Sequence, residues 1–387
     1  MTDDRRLASA RLERLRTHLA DAPFDWLLVA DPANVGYATG YRSVAGEMFR
    51  GHRMAALVGP DDLWLVGPCA DAAPALDQNA VDPDRYVAFG RFYFESLNGA
   101  AVPTRLVDQH ADFAEAVLHA AATVDDRQRV GVDGDVGAAI CDAIPGRVVD
   151  ATEWVYGVRA VKLPDEVELL ARAAHVSEAG IERALAEAGR GVTERELAAI
   201  VAETMSASGG SPRFIVVTSG ERSALADARP TDRAWRPGEL LRFDVGCVVD
   251  GYWSDLGRTA VLGEPDPLQR TRYDAILAGE SAQLAEIRPG MTAEALFDLA
   301  VDTVEEQGLR PYRRHHCGHA IGSAVYERPV IAPGITTEIQ EGMVFCVETP
   351  FYELGWGGMM VEDTIVVTAG GCELLSVSDR ALRVVAA

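Results

Sequence analysis

The 387-residue sequence predicts an α+β protein of two domains, a smaller N-terminal α/β unit over residues 1–157 and a larger, internally duplicated unit over 158–387. Three observations carry this. Helix and strand signals alternate through the first part, a proline-led linker around residues 156–163 opens a long amphipathic helix, and the second part repeats itself at a constant offset of 99 residues.

In the first part, residues 4–20 read as a polar helix and Trp26–Ala30 as an apolar strand running into the turn-rich Asp31-Pro32-Ala33-Asn34. Met54–Val58 and Leu63–Val66 flank Gly59-Pro60-Asp61-Asp62 as a strand pair. The linker Val158–Pro164 ends on a proline well placed just ahead of a helix beginning near Asp165.

The repeat pairs the segment starting at Gly191 with the segment starting at Gly290. Gly191, Thr193, Leu197, Thr204 and Gly209 meet identical residues at Gly290, Thr292, Leu296, Thr303 and Gly308. Thr193 and Thr292 suit helix N-caps, and Thr193 has Glu196 for a capping box. Strand patterns continue the repeat. Aligning Gly238 with Gly342 sets Asp244 opposite Glu348, and each strand returns through a loop to a second one carrying Asp255 or Glu362. Pseudo-twofold symmetry is expected to bring the two hairpins face to face, so that four carboxylates meet.

Asp250-Gly251 is a two-residue turn signal. A hairpin closed there without a bulge pairs Val249 with Tyr252 and sets Gly246 opposite Asp255. Asp244 and Asp255 then become diagonal neighbours on one face, about 7–8 Å apart at the backbone, with Gly246 expected to leave empty space between them. Carboxylates so placed can share cations spaced about 3.5–4 Å apart. The flanking strands are apolar enough to be buried, and buried clustered carboxylates need cations or protons. Three of the eight histidines fall within His315-His316-Cys317-Gly318-His319, where His319 is the expected nitrogen ligand. One imidazole with four carboxylates suits Mn²⁺, Co²⁺ or Fe²⁺ at least as well as Zn²⁺. Four negative charges also balance two divalent ions.

Composition narrows the partners. A net charge of −23 opposes nucleic acid and anionic membrane. No run approaches the roughly 18 apolar residues of a membrane span. The N-terminus lacks a signal core, and six scattered cysteines without a CxxC pair suit reduced thiols in the cytoplasm.

The segments FDVGCVVDGYWSDLGRT, HHCGHAIG and GMVFCVETPFYELGWGGMMVEDTIVVT, with DPANVGYATGY and the VRAVKLPDEVELL linker, resemble the pita-bread metallohydrolases, the M24 peptidases. The last two point to the creatinase/prolidase branch, which adds a creatinase-like N-terminal domain. The resemblance implies a pita-bread catalytic fold and a two-metal centre, Mn²⁺ foremost, on Asp244, Asp255, His319, Glu348 and Glu362. It implies Glu348 as general base and His315 as a pocket residue that stabilises the oxyanion. It also implies a homodimer whose N-terminal domains shape the partner's pocket, a role that the aromatic cluster Phe92, Tyr93 and Phe94 would suit.

Departures surround that centre. Asp227 stands where many such peptidases have a histidine in a Leu-Pro-His-like context, Tyr326 where another histidine follows the ligand histidine, and Met360 where aminopeptidase P and prolidase relatives carry an arginine. The usual Glu-Pro is Glu348-Thr349-Pro350. Asp227 would favour a cationic or polar substrate group. Tyr326 can still donate one hydrogen bond to an oxyanion, and Met360 is expected to be structural, at the loss of a charged clamp. The leading expectation is amide hydrolysis by a metal-activated water, of the Xaa-Pro aminopeptidase or dipeptidase kind. Second comes a hydrolase or lyase on a small non-peptide substrate, as in creatinase, ectoine hydrolase or dimethylsulfoniopropionate lyase. Third comes a non-catalytic binding protein.

Overall fold

The structure is a computed structural model that describes residues 3–78, 80–94 and 109–387. Its contacts divide the chain into two compact units, Met1–Arg159 and Ala160–Ala387.

The first unit is a mixed six-stranded sheet with helices around it. Its strands are β1 (Trp26–Val29), β2 (Ala55–Val58), β3 (Leu63–Pro68), β4 (Tyr86–Phe89), β5 (Arg129–Asp133) and β6 (Arg147–Asp150), in the order β4-β3-β2-β1-β5-β6. Its longest helix is α1 (Asp3–Leu19), and α2 (Pro32–Thr39) follows β1 directly. The Asp31–Asn34 segment is therefore a helix start rather than the expected turn. Asp31 caps it by accepting hydrogen bonds from the Ala33 and Asn34 amides, and Pro32 has no amide hydrogen to leave unpaired. The remaining helices of this unit are α3 (Val44–Met48), α4 (Cys69–Asp77), α5 (Phe113–Ala121), α6 (Ala138–Ala143) and α7 (Thr152–Ala160).

The second unit carries the duplication. Helix α8 (Pro164–Glu187) precedes α9 (Glu194–Ala207), and α10 (Pro267–Glu286) precedes α11 (Ala293–Glu306). Thr193 and Thr292 cap α9 and α11, and the Glu196 carboxylate returns a hydrogen bond from the Thr193 amide. Gly191 N donates to Trp235 O as Gly290 N donates to Ile339 O, so the repeat extends into the loops. No helix among the described residues is long and apolar enough to cross a membrane.

The strands of this unit form one ten-stranded sheet and a small hairpin. They are β7 (Ser211–Ser219), β8 (Leu240–Val249), β9 (Tyr252–Trp253), β10 (Leu256–Leu262), β11 (Gly318–Ala320), β12 (Glu327–Val330), β13 (Val344–Glu348), β14 (Phe351–Glu353), β15 (Gly357–Met359), β16 (Glu362–Thr368), β17 (Gly371–Leu374) and β18 (Arg383–Val385). The main path runs β12-β11-β13-β16-β10-β8-β7, and β14 pairs with β15 apart from it. Asp250 and Gly251 both take positive φ, the primed turn that matches strand twist, and Val249 pairs with Tyr252 as the sequence requires.

Two expectations about this hairpin are corrected. The repeated hairpins lie edge to edge in one sheet, with β10 paired to β16, rather than face to face. Nor is the space beside Gly246 empty. A Cβ there would stand 2.2 Å from the Phe214 ring and 2.4 Å from the Ser254 carbonyl. Phe214 is paired with Gly246 across β7 and β8, and its ring fills the place a side chain would take.

Alternation along β8 separates core from site. Leu241, Phe243, Val245, Cys247 and Val249 join a buried cluster with Leu197, Val201 and Met205 of α9. Arg242, Asp244 and Gly246 face the other way. Gly246→Ala is expected to lower unfolding free energy by about 1–3 kcal/mol, because ring and backbone must both move. Denaturant unfolding measures it, and a loss within error of zero would mean the Phe214 ring is not packed there.

Candidate metal centre

Sheet register brings the carboxylates together. Asp244 pairs with Gly257, Gly257 with Glu362 and Glu362 with Glu348, so one row crosses β8, β10, β16 and β13. Asp255 lies two residues before Gly257 and therefore on the same face. His319 of β11 pairs with Cys346 of β13, two residues before Glu348. One face thus carries all five residues that the sequence singles out. Asp244, Asp255 and Glu362 each place a carboxylate oxygen within 4.8 Å of the others, and His319, Cys346 and Glu362 form a second such group. Asp255, His319, Glu348 and Glu362 are buried, while the Asp244 side chain is 17 % exposed.

These residues have the attributes of a cation site. His319 Nδ1 lies 3.0 Å from the Ala320 carbonyl, which can only accept, so in the neutral ring Nε2 carries the lone pair. Among the described residues, Glu362 Oε2 is buried without a hydrogen-bond partner, and His319 Nε2 makes no hydrogen bond of ordinary geometry, with the Asp255 carboxylate 3.5 Å away. Orphaned buried polar atoms are rare and call for an explanation. Two donors aimed into a cluster of carboxylates fit divalent cations.

Electrostatics agrees. Burial, reinforced by the Asp255 charge and opposed by Arg242, pushes the Asp244 carboxyl up to about 7. Burial also raises Asp255 against the pull of His319. It raises Glu362 well above the usual carboxylate range, with the charges of Asp255, Glu348 and Asp244 adding to it. Glu348 runs the other way. Burial raises it too, but the His316 hydrogen bond and the charges of His316 and Arg314 outweigh that and hold the carboxyl low. For His319, burial lowers the pKa, and the Asp255 carboxylate more than reverses this.

The surroundings were only partly legible. His316, not His315, reaches Glu348, with Nδ1 2.8 Å from Oε1, and Arg314 stands 3.8 Å from Oε2. His315 is exposed on the cavity wall, its pKa lowered by burial and by the neighbouring His316 and Arg314 charges. Cys346 lies among these candidate donors, but burial, then the Glu362 and Asp255 charges, push its thiol far up. It stays protonated and acts as a spacer. The histidine cluster included His316 without giving it a role, and nothing in the sequence marked Cys346, because each role is defined by a neighbour on another strand.

The departures also find their places. Asp227 is exposed on the cavity wall. Tyr326 stacks on the His319 ring at 3.7 Å and 21°, so it packs the imidazole besides presenting its hydroxyl. Met360 is buried over Gly257, as expected of a structural methionine. The expected loss of a charged clamp is corrected, since the buried Arg242 guanidinium lies 3.9 Å from the Met360 sulfur and donates to Asp244 Oδ2 at 2.9 Å. Thr349 uses its hydroxyl on the Ile276 carbonyl at 2.6 Å, a link proline could not make. Asp244, Asp255, Glu348 and Glu362, with His315, Asp227, Tyr326 and Met360, line a cavity of about 610 Å³, within the range that holds small ligands. The sequence-level balance of four carboxylates against two divalent ions is also incomplete. Arg242 and Arg314 add two positive charges, which leaves such a centre electropositive.

Comparison with known proteins agrees with this geometry. The model of metallopeptidase family M24 matches residues 168–369, and that of the creatinase/prolidase N-terminal domain matches residues 11–161. An Xaa-Pro dipeptidase of Pyrococcus furiosus is 26% identical over 379 residues, 96% of this chain and 99% of that protein. One from Pyrococcus horikoshii is 32% identical over 227 residues, 58% of this chain and 65% of its own length. A crystal structure of a dipeptidase from Mycobacterium ulcerans superposes with a TM-score of 0.82 at 26% identity, covering all of both chains.

A carboxyl whose folded pKa exceeds its unfolded value binds more protons when folded, so stability falls as pH rises between the two. For Asp244 that window runs from about 4 to about 7. Asp255, Glu362 and His319 are shifted in the same sense. Glu348 has the opposite slope, but only below about pH 4.3, so it does not offset the others. Metal-stripped protein should therefore lose Tm from about pH 4.5 to 7, and Mn²⁺ should restore it most at the upper end. A Tm indifferent to Mn²⁺ throughout would contradict the cation site.

Proposed function

The chain belongs to metallopeptidase family M24, and from that premise we propose that it is an Xaa-Pro dipeptidase acting through two divalent ions held by Asp244, Asp255, His319, Glu348 and Glu362. One observation carries the reading. The five side chains lie on one sheet face, and one of them, Glu348, is held ionised by His316 and Arg314.

When bound, the ions would polarise the amide carbonyl and supply a water that ionises near neutral pH. Mn²⁺ is our choice of metal, because four carboxylates and one imidazole make a hard, oxygen-rich set. The rest falls to the chain's own residues. Glu348 takes the proton of the attacking water and returns it to the leaving nitrogen. His315, kept neutral by its surroundings, donates to the oxygen of the tetrahedral species, and the Tyr326 hydroxyl adds a second donor. Arg213 and Arg229 line the same cavity as Arg314, where Asp227 is the acid that stands apart from the metal centre. An electropositive pocket in a chain of net charge −23 suits a substrate with a free carboxylate, hence a dipeptide, and leaves Asp227 for its ammonium end.

Two broader inferences accompany this. All six cysteines are free, which suits the cytoplasm. Val44, Met48, Phe49 and Tyr93 are apolar or aromatic side chains more than half exposed on the N-terminal unit, which supports a homodimer.

Protein reconstituted with Mn²⁺ should hydrolyse Xaa-Pro dipeptides and act far less on the same dipeptides amidated at the C-terminus. No cleavage of any such dipeptide by protein carrying two ions would overturn the reading. Glu348→Gln should lower kcat by roughly 10²–10⁴-fold, the range for loss of a general base, checked by steady-state kinetics with metal content measured alongside.

A further inference from the structure

Arg242 interrupts an apolar strand, Leu240-Leu241-Arg242-Phe243, and its side chain has no solvent exposure. A guanidinium buried so completely is costly unless its donors are met. All three nitrogens are engaged. Nε donates to the Ser223 carbonyl at 3.0 Å, and Nη2 donates to the Leu225 carbonyl at 2.9 Å and to that of Ala226. Nη1 donates to Asp244 Oδ2 and lies against the Met360 sulfur. Below it, the Tyr352 ring centroid is 5.2 Å from Cζ.

The acceptors show what this arrangement does. Neutralising Asp244 would need one contact, yet three of the four acceptors are carbonyls of a single loop. That loop leads directly to Asp227 on the cavity wall. Beyond Ser223, its other hydrogen bonds are local ones, Leu225 N to Arg222 O and Ala228 N to Leu225 O. For residues 225–228, then, Arg242 is the hydrogen-bonded tie to the sheet among the described residues. The same planar fork fixes the orientation of the Asp244 carboxylate through Oδ2, leaving its remaining lone pairs to offer an ion.

We propose that Arg242 is a positioning residue that joins the loop at residues 223–226, which leads into the pocket wall at 226–229, to the metal ligand Asp244, setting both the affinity of the metal centre and the placement of the wall. This rests on the reading of the five-residue set as a metal centre. It assigns a specificity role to a side chain that reaches substrate only through others.

The two jobs can be separated, because Met360 lies next to the guanidinium on a different strand segment. Arg242→Met should weaken Mn²⁺ binding in calorimetric titration by roughly 10- to 100-fold, the usual cost of losing a ligand's outer partner. It should also speed hydrogen exchange of the amides of residues 224–229 and raise the KM for an Xaa-Pro dipeptide about tenfold at saturating Mn²⁺. Arg242→Lys should keep Mn²⁺ affinity within a few-fold while losing the fork that holds the carbonyls, so exchange and KM still rise. In the double variant Arg242→Met/Met360→Arg, a guanidinium returns beside Asp244 without the wall contacts. Mn²⁺ affinity should recover while fast exchange persists. Circular dichroism and thermal unfolding establish that each variant is folded. Wild-type Mn²⁺ affinity and exchange in folded Arg242→Met would overturn the proposal, as would a double variant that restores wall protection together with affinity. If the wild type binds Mn²⁺ but cleaves no dipeptide, the substrate reading falls alone, because titration and exchange still decide the role of Arg242.

Discussion

The constraint on which the second unit depends is mutual repulsion among four carboxylates fixed on one face of a buried sheet. Backbone register sets their positions, so they cannot move apart without breaking strand pairs. In a poorly solvated place like charges are far costlier than in water. Protons meet that cost in part, which is why Asp244, Asp255 and Glu362 all have raised pKa values. Cations meet it better, because they also satisfy the orphaned His319 Nε2 and Glu362 Oε2. Metal affinity at the proposed centre would thus be a consequence of strand geometry imposed on acidic residues.

Much of this was legible in the sequence, because duplication and alternation are backbone properties. The offset of 99 residues placed the helix caps. The Asp250-Gly251 turn fixed a register that carried Asp244 and Asp255 to one face. What stayed hidden depends on strand order and side-chain direction. That β10 lies beside β16, rather than one hairpin facing the other, follows from pairing between segments about a hundred residues apart. His315 and His316 are adjacent and chemically identical, and only the course of the loop decides which one meets Glu348. Phe214 in the space at Gly246 and Arg242 beside Met360 are likewise contacts between strands, with no local signature.

The three departures take on a different sense once placed. Read one at a time, Asp227, Tyr326 and Met360 each removed a useful group and loosened the link to peptide hydrolysis. In the fold they are local exchanges. Tyr326 gives up a proton-shuttling imidazole but stacks on the His319 imidazole, the nitrogen donor proposed for the centre. Met360 brings no charge, yet a guanidinium is still present beside Asp244, from Arg242 two residues earlier on the same strand. The charge pattern of the cavity has been rearranged more than depleted, which is why the peptidase reading survives departures that weakened it in the sequence.

Duplication alone would make the two halves equivalent, and the chemistry requires that they differ. Asp244 and Glu348 are repeat mates on corresponding strands, and each has an arginine partner, but the partners hold them differently. Arg242 is locked by backbone carbonyls and donates to Asp244 at 2.9 Å, a rigid contact that fixes one oxygen. Arg314 stands 3.8 Å from Glu348, and the close contact there comes from the His316 imidazole at 2.8 Å. A carboxylate bound by a fixed guanidinium is suited to hold a cation. One bound through an imidazole is suited to receive a proton and give it up again. Under the proposed reading, the extra role of Glu348 as base would follow from which neighbour each half of the repeat supplies.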